Sequence, residues 1–298
     1  TSMKGNVIVG QSGGPTAAIN SSLAGVYRTA RDRGAGKVYG MLHGIQGLLQ
    51  ERYIDLSEYI KSDLDAELLK RTPAAFLGSC RYKLPEIHED RAVYDKIFEI
   101  LNKLDIEAFI YIGGNDSMDT IKKLSDYAIL TGFPTRFVGC PKTIDNDLAL
   151  TDHTPGYGSA AKYIGTSVKE IIRDSFCLEY SKGVVSIIEI MGRNAGWLTG
   201  AAALAQGEDC NGPDLIYLPE LPFDIEKFGD KVRELLEKRS SVVVAVSEGI
   251  RLADGRYVCE LGQGIDFVDA FGHKQLSGTA NYLASYIAGE IGCKTRAI

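Results

Sequence analysis

No two cysteines in this 298-residue sequence stand at a metal-binding spacing. Cys80, Cys140, Cys177, Cys210, Cys259 and Cys293 are scattered singly, so zinc modules and a disulfide framework find no support. They read as reduced thiols of a cytoplasmic protein. The four histidines, His43, His88, His153 and His273, show no ligand spacing either and read as surface or internally satisfied side chains. Basic charge is also scarce: 33 Lys and Arg against 39 Asp and Glu leave a net charge of −6, which argues against a broad nucleic-acid surface. A small anionic ligand stays possible, because local amides and a few cations are enough to hold one. Apolar runs such as Val242 to Val246 are too short to span a bilayer, and no basic, apolar and small-residue succession opens the chain as an export signal. No low-complexity linker interrupts it.

What is present is an ordinary globular composition, 45% hydrophobic and 24% charged, long enough for two cores. Thr1-Ser2 ahead of Met3 reads as a cloning remnant, with the natural start at Met3. Asn6 to Gly10 is a short β-branched run; Gln11-Ser12-Gly13-Gly14 follows it, and Ala17 to Arg31 then takes helical spacing. The unit recurs as Ala108 to Ile112, Gly113-Gly114-Asn115-Asp116-Ser117 and the helical stretch Met118 to Tyr127. Two strand–turn–helix units predict a parallel sheet. Arg136 to Cys140 is a further strand that delivers Pro141 to Asp147 to its carboxyl end, where open α/β sheets keep their sites.

The same grammar continues beyond residue 150. Helices are expected at Tyr157 to Arg173, Asn194 to Gln206, Glu226 to Lys238 and Gln275 to Ile291. Strands are expected at Val184 to Ile190, Leu215 to Leu218, Ser241 to Val246 and Thr295 to Ile298. The fold class is therefore α/β, with two Rossmann-like domains, 1–150 and 151–298, mainly parallel sheets and an active site in the cleft between them.

Each motif admits a chemical and a structural reading. Gly13-Gly14 allows a phosphate to approach bare backbone at a helix start, or is only a tight turn. Gly113-Gly114-Asn115-Asp116-Ser117 either meets a ligand or supplies a helix N-cap through Asn115 or Ser117. In Thr143-Ile144-Asp145-Asn146-Asp147, one carboxylate can act as base and the other can hold magnesium; the alternative is an Asx-turn loop. Lys142 either neutralises phosphate oxygens or is merely solvated. Met191-Gly192-Arg193 either holds a phosphate or only starts a helix. Arg81, after Leu77-Gly78-Ser79, and Glu248, after an apolar strand, complete the set.

In this order the segments resemble the phosphofructokinase family, and more narrowly its pyrophosphate-dependent branch. Six motifs carry the likeness: Ser12-Gly13-Gly14 with Asn20, Gly78-Ser79-Cys80-Arg81-Tyr82, Gly113 to Ser117, Pro141 to Asp147, Met191-Gly192-Arg193, and Ser247-Glu248-Gly249. The resemblance implies that Asp145 is the base for the sugar 1-hydroxyl, that Thr143 and Lys142 attend the transferring phosphoryl group, and that Asp147, with Asn115, holds Mg2+. It implies donor contacts from Gly13, Gly14, Arg81, Gly114, Asn115, Asp116, Ser117 and Lys142. Fructose 6-phosphate would be held by Thr143, Asp145, Met191, Gly192, Arg193, Glu248 and Arg296.

ATP-using relatives usually carry glycine where Asp116 and Lys142 stand. A carboxylate at 116 crowds and repels the α-phosphate of a nucleotide, whereas the Lys142 ammonium pairs with the second phosphate of pyrophosphate, which points to pyrophosphate as donor. Lysine at 142 also occurs in some ATP-using relatives, so Asp116 carries more of the inference. The other readings are an ATP-dependent 6-phosphofructokinase and a catalytically silent ligand-binding subunit or fragment. Two departures stand out: many relatives are acidic where Asn115 stands, and bacterial ATP-using relatives carry arginine where Val184 stands, a charge that Lys182 or a neighbouring subunit would replace. The family segment begun by Arg296 stops at Ile298, which implies a shortened chain lacking the return to the first domain. A homodimer or homotetramer without nucleic-acid or membrane partners is the expected assembly.

Overall fold

The computed structural model describes residues 2–177, 179–262 and 278–298. They form two compact units, one running to Ile144 and including Leu148–Gly156, the other made of Asp145–Asp147 and Tyr157–Ile298.

The first unit holds β1 (Asn6–Gln11), α1 (Ile19–Asp32), β2 (Val38–Met41), α2 (Gly44–Leu48), β3 (Tyr53–Asp55), α3 (Asp63–Arg71), α4 (Arg91–Lys103), β4 (Ile106–Gly113), α5 (Asn115–Thr131) and β5 (Arg136–Pro141). Its sheet order is β3-β2-β1-β4-β5, parallel except for the antiparallel edge pair β2–β3. Side chains of β1 alternate between two cores, Ile8 packing with Tyr94, Ile97 and Leu124, and Val7 and Val9 with Ile19, Leu23 and Leu69. Burial on both faces is what a parallel sheet sandwiched between helices requires. Each large apolar side chain fully removed from water contributes about 1.5–3 kcal/mol.

The second unit holds α6 (Tyr157–Phe176), β6 (Val184–Ile190), α7 (Trp197–Gly200), β7 (Leu215–Tyr217), α8 (Ile225–Leu236), β8 (Ser241–Ser247), α9 (Thr279–Ile291) and β9 (Lys294–Ala297). Its sheet is wholly parallel, in the order β7-β8-β6-β9. Val185, Ile187, Val242 and Val244 pack against Phe228 and Val232 of α8 and Leu283 and Ile287 of α9.

Several expectations change. The helix expected over Asn194 to Gln206 is only the single turn α7 followed by a 3-10 stretch at Ala201–Ala205. Gly196 is the N-cap of that turn, its N–H accepted by Glu220 Oε1 at 2.6 Å, and Gly200 weakens the turn that does form. The first helix begins at Ile19 rather than Ala17, past a loop containing Pro15. Gln275 to Ser277, the expected start of the long helix, and His273 lie outside the described residues. Residues 38–103, for which no element was expected, contain the helices α2, α3 and α4 and the very short strands β2 and β3.

Candidate active site

In the first sheet the chain turns from β1 outward to β2 on one side and to β4 on the other, so the order of strands reverses between β1 and β4. Ligands of open α/β sheets bind at the carboxyl ends of the strands at such a reversal. Gly13-Gly14 follows β1 and Gly114 follows β4, which places both glycine turns there.

The turn after β1 is built for close approach. Gly13 has φ +76°, a conformation that costs other residues strain, while a side chain at Gly14 would meet nothing within 4 Å. Lys142, buried at the end of β5, donates from Nζ to the Gly14 carbonyl. Since β4 lies between β5 and β1, that ammonium reaches across roughly 10 Å of sheet width. Ser79 Oγ donates to the Gly13 carbonyl and Gly13 N to Cys80 O at 3.3 Å, which ties the segment carrying the exposed Arg81 to the same turn.

Beneath it lies a buried amide pair that the chemical motifs do not reveal. Gln11 Nε2 donates to Asn20 Oδ1 at 2.9 Å, and these side chains accept from Leu77 N at 2.8 Å and Phe76 N at 2.9 Å respectively. Asn20 therefore positions the 76–81 segment rather than facing a ligand. Its signal was a pair of amides at otherwise apolar, buried positions.

At the second turn the N-cap of α5 is Gly114, with no side-chain cap, so the capping reading of Asn115 and Ser117 is corrected. Ser117 is buried, and a Cβ on Gly113 would lie 1.9 Å from its hydroxyl oxygen. Gly113 is glycine because Ser117 fills its side-chain space. Asn115 is exposed and Asp116 half-buried in the first helical turn, where a carboxylate is favoured by the helix dipole. Thr143 adjoins Gly114 and is clasped to Gly156 by a parallel bridge.

Residues Asp145–Asp147 pass into the second unit. Asn146 takes φ +54°, a left-handed conformation that asparagine tolerates better than most residues, and it reverses the chain between the two half-buried carboxylates.

In the second unit, the ends of β6 and β8 carry the other motifs. Gly192 has φ +138°, and a Cβ there would lie 2.5 Å from the Ala195 carbonyl oxygen. Its N–H donates to Glu248 Oε1 at 3.0 Å, and its carbonyl accepts from Ser247 Oγ at 2.6 Å. Gly249 leaves room for the Arg193 backbone, which a Cβ would strike at 2.0 Å. Burial pushes the Glu248 carboxyl above the usual carboxylate range; the Gly192 N–H opposes this, the Asp145 charge adds to it, Arg193 opposes and Glu189 adds. Met191 is 54% exposed, so this large apolar side chain is presented rather than packed. A cavity of 330 Å³ is lined by Glu189, Met191, Glu248, Ala280, Asn281 and Ile298 among others.

Arg296 precedes Ala297 and Ile298 of that lining but is not itself part of it. It pairs in register with Ser186 of β6, five positions before Met191 and about 16 Å away at strand rise. Its guanidinium is engaged by Asp174 Oδ2 at 2.7 Å.

Among the described residues no cluster of three or more His, Cys, Asp or Glu side chains could hold a metal ion, and no helix is long and apolar enough to cross a membrane. Asp147 as a single protein carboxylate fits magnesium, a hard cation that keeps waters and takes substrate phosphate oxygens as its remaining ligands.

A basic, glycine-lined turn at one sheet's reversal and a glycine–carboxylate turn in the other define an α/β enzyme that handles a phosphorylated ligand. A family model described as Phosphofructokinase matches residues 6–298, and the chain belongs to the phosphofructokinase family. It is similar to the pyrophosphate–fructose 6-phosphate 1-phosphotransferase of Xanthomonas campestris pv. campestris, with 46% identity over 291 residues, covering 97% of this chain and 68% of the relative. The enzyme of the same description from Halomonas elongata is 43% identical over 293 residues, again covering 97% and 68%. Among solved structures, the pyrophosphate-dependent phosphofructokinase from Nitrosospira multiformis matches with a TM-score of 0.84 at 36% identity, covering 98% of this chain and 68% of that one.

Proposed function

We propose that this protein transfers a phosphoryl group from pyrophosphate to the 1-hydroxyl of fructose 6-phosphate, reversibly. The observation that carries this reading is the segment from Lys142 to Asp147. It places a buried ammonium against the donor-side turn, a threonine beside Gly114 and a carboxylate two positions further on.

The sugar hydroxyl oxygen attacks the terminal phosphorus, the bond to the bridging oxygen breaks, and inorganic phosphate leaves. Asp145 accepts the hydroxyl proton as the new ester bond forms. Thr143 and Lys142 hold the transferring group, and Gly13, Gly14, Arg81, Gly114, Asn115 and Asp116 receive the rest of the donor. Ser117 acts by shaping that turn. Met191, Gly192, Arg193 and Glu248 hold the acceptor. Magnesium, when bound at Asp147 with help from Asn115, supplies charge neutralisation on the donor phosphates.

Pyrophosphate is the preferred donor because Asp116 sets a negative charge at the N-terminal turn of α5, where an additional nucleotide phosphate would be repelled. The family likeness supports a homodimer or homotetramer and a cytoplasmic setting. The test is formation of fructose 1,6-bisphosphate with magnesium and either pyrophosphate or ATP. Turnover with pyrophosphate alone is expected, with Asp116→Gly reducing the discrimination against ATP; turnover with ATP alone contradicts the donor assignment.

A further inference from the structure

One charge interrupts the apolar run of β6, Glu189, two positions before Met191. A charge there needs a partner. Its Oε2 accepts the Ala280 N–H at 2.8 Å, in the first turn of α9. That helix begins after Gly278, which has φ +94° and provides no side-chain cap, so a carboxylate from another element satisfies one of the N–H groups a helix start leaves over. A second tie runs from Thr279 Oγ1 to the Glu248 carbonyl at 3.2 Å. The first turn of α9 is thereby fastened to the ends of both β6 and β8. Glu189, Glu248, Ala280 and Asn281 then share the lining of one cavity.

We propose that Glu189 is a positioning residue for the sugar-phosphate acceptor, holding the first turn of α9 against the end of β6 so that this turn and Glu248 form a single wall. The assignment rests on the reaction proposed above. A wall so built presents carboxylate oxygens, which accept hydrogen bonds from hydroxyls and repel phosphate, so it receives the hydroxyl-bearing part of the acceptor. Glu189 also stands close enough to Glu248 to disfavour its ionisation. Asp145 acts in the same direction, while Arg193 and the Gly192 N–H act against it.

Kinetics and thermal melting of Glu189→Ala and Glu189→Gln test the assignment. Glu189→Ala is expected to raise the fructose 6-phosphate KM about tenfold, since a charge-assisted hydrogen bond is lost, while the pyrophosphate KM stays within about twofold. Glutamine keeps an acceptor for the Ala280 N–H and returns that KM to within about threefold of wild type. It removes the negative neighbour of Glu248, so the acid limb of acceptor binding moves to lower pH. A merely structural residue would lower the melting temperature without splitting the two KM values or moving the pH limb. An unchanged acceptor KM in Glu189→Ala, or equal changes for both substrates, overturns the assignment. Wild type that fails to turn over pyrophosphate and fructose 6-phosphate contradicts the reaction instead. Calorimetric binding of fructose 6-phosphate to wild type and Glu189→Ala then decides the role of Glu189, and equal affinities overturn it.

Discussion

In the first unit a lysine braces the glycine turn after β1, and in the second a glutamate braces the glycine turn after β6. Lys142 donates to the carbonyl of Gly14, and Glu248 accepts from the N–H of Gly192. Both braces come from the end of another strand, yet they leave opposite charges beside similar backbone. A turn with an ammonium suits a ligand that is all phosphate; a turn with a carboxylate suits one that presents hydroxyls. On the reaction proposed here, one fold grammar used twice would supply a donor site and an acceptor site through the sign of one side chain.

The largest effect that bears on this contrast lies where the chain passes from one unit to the other. Asp145→Ala is expected to lower turnover about a thousandfold, the usual weight of a positioned general base, while pyrophosphate binding measured by calorimetry stays unchanged. Loss of donor binding instead would move Asp145 to the donor side of the comparison.

A smaller effect separates the two glycine turns. Gly192→Ala meets both an unfavourable φ and the Ala195 carbonyl, and is expected to cost about 2–4 kcal/mol in denaturant unfolding. Gly14→Ala has open space around it and is expected to change stability by no more than about 0.5 kcal/mol. Its pyrophosphate KM should nevertheless rise about tenfold, because a methyl group then stands where phosphate approaches. Equal stability losses in the two variants would mean that both glycines serve only the backbone.

Strand, turn and helix were legible in the sequence where the apolar period was clear and the elements long, as at Asn6 to Gly10 and Val184 to Ile190. β2 and β3 were not, since strands of three or four residues show too little alternation to register, whereas α4 does carry helical spacing at Tyr94, Ile97, Phe98 and Leu101. Residue types at the two turns were also legible, but not their connections. That Lys142 reaches Gly14 depends on strand order, which the sequence does not display. Nor could it display that Asn20 braces the 76–81 segment or that the Ser117 side chain fills the space beside Gly113. The ion pair between Arg296 and Asp174 was likewise not legible, because it depends on where β9 pairs with β6.

The comparison itself is tested most directly by crossed steady-state kinetics on Lys142→Met and Glu248→Gln with both substrates varied. Lys142→Met should lower kcat and raise the pyrophosphate KM about tenfold or more with little change for fructose 6-phosphate, and Glu248→Gln should do the reverse to the two KM values. If each variant shifts both KM values by the same factor, the division into a cationic donor turn and an anionic acceptor turn is wrong.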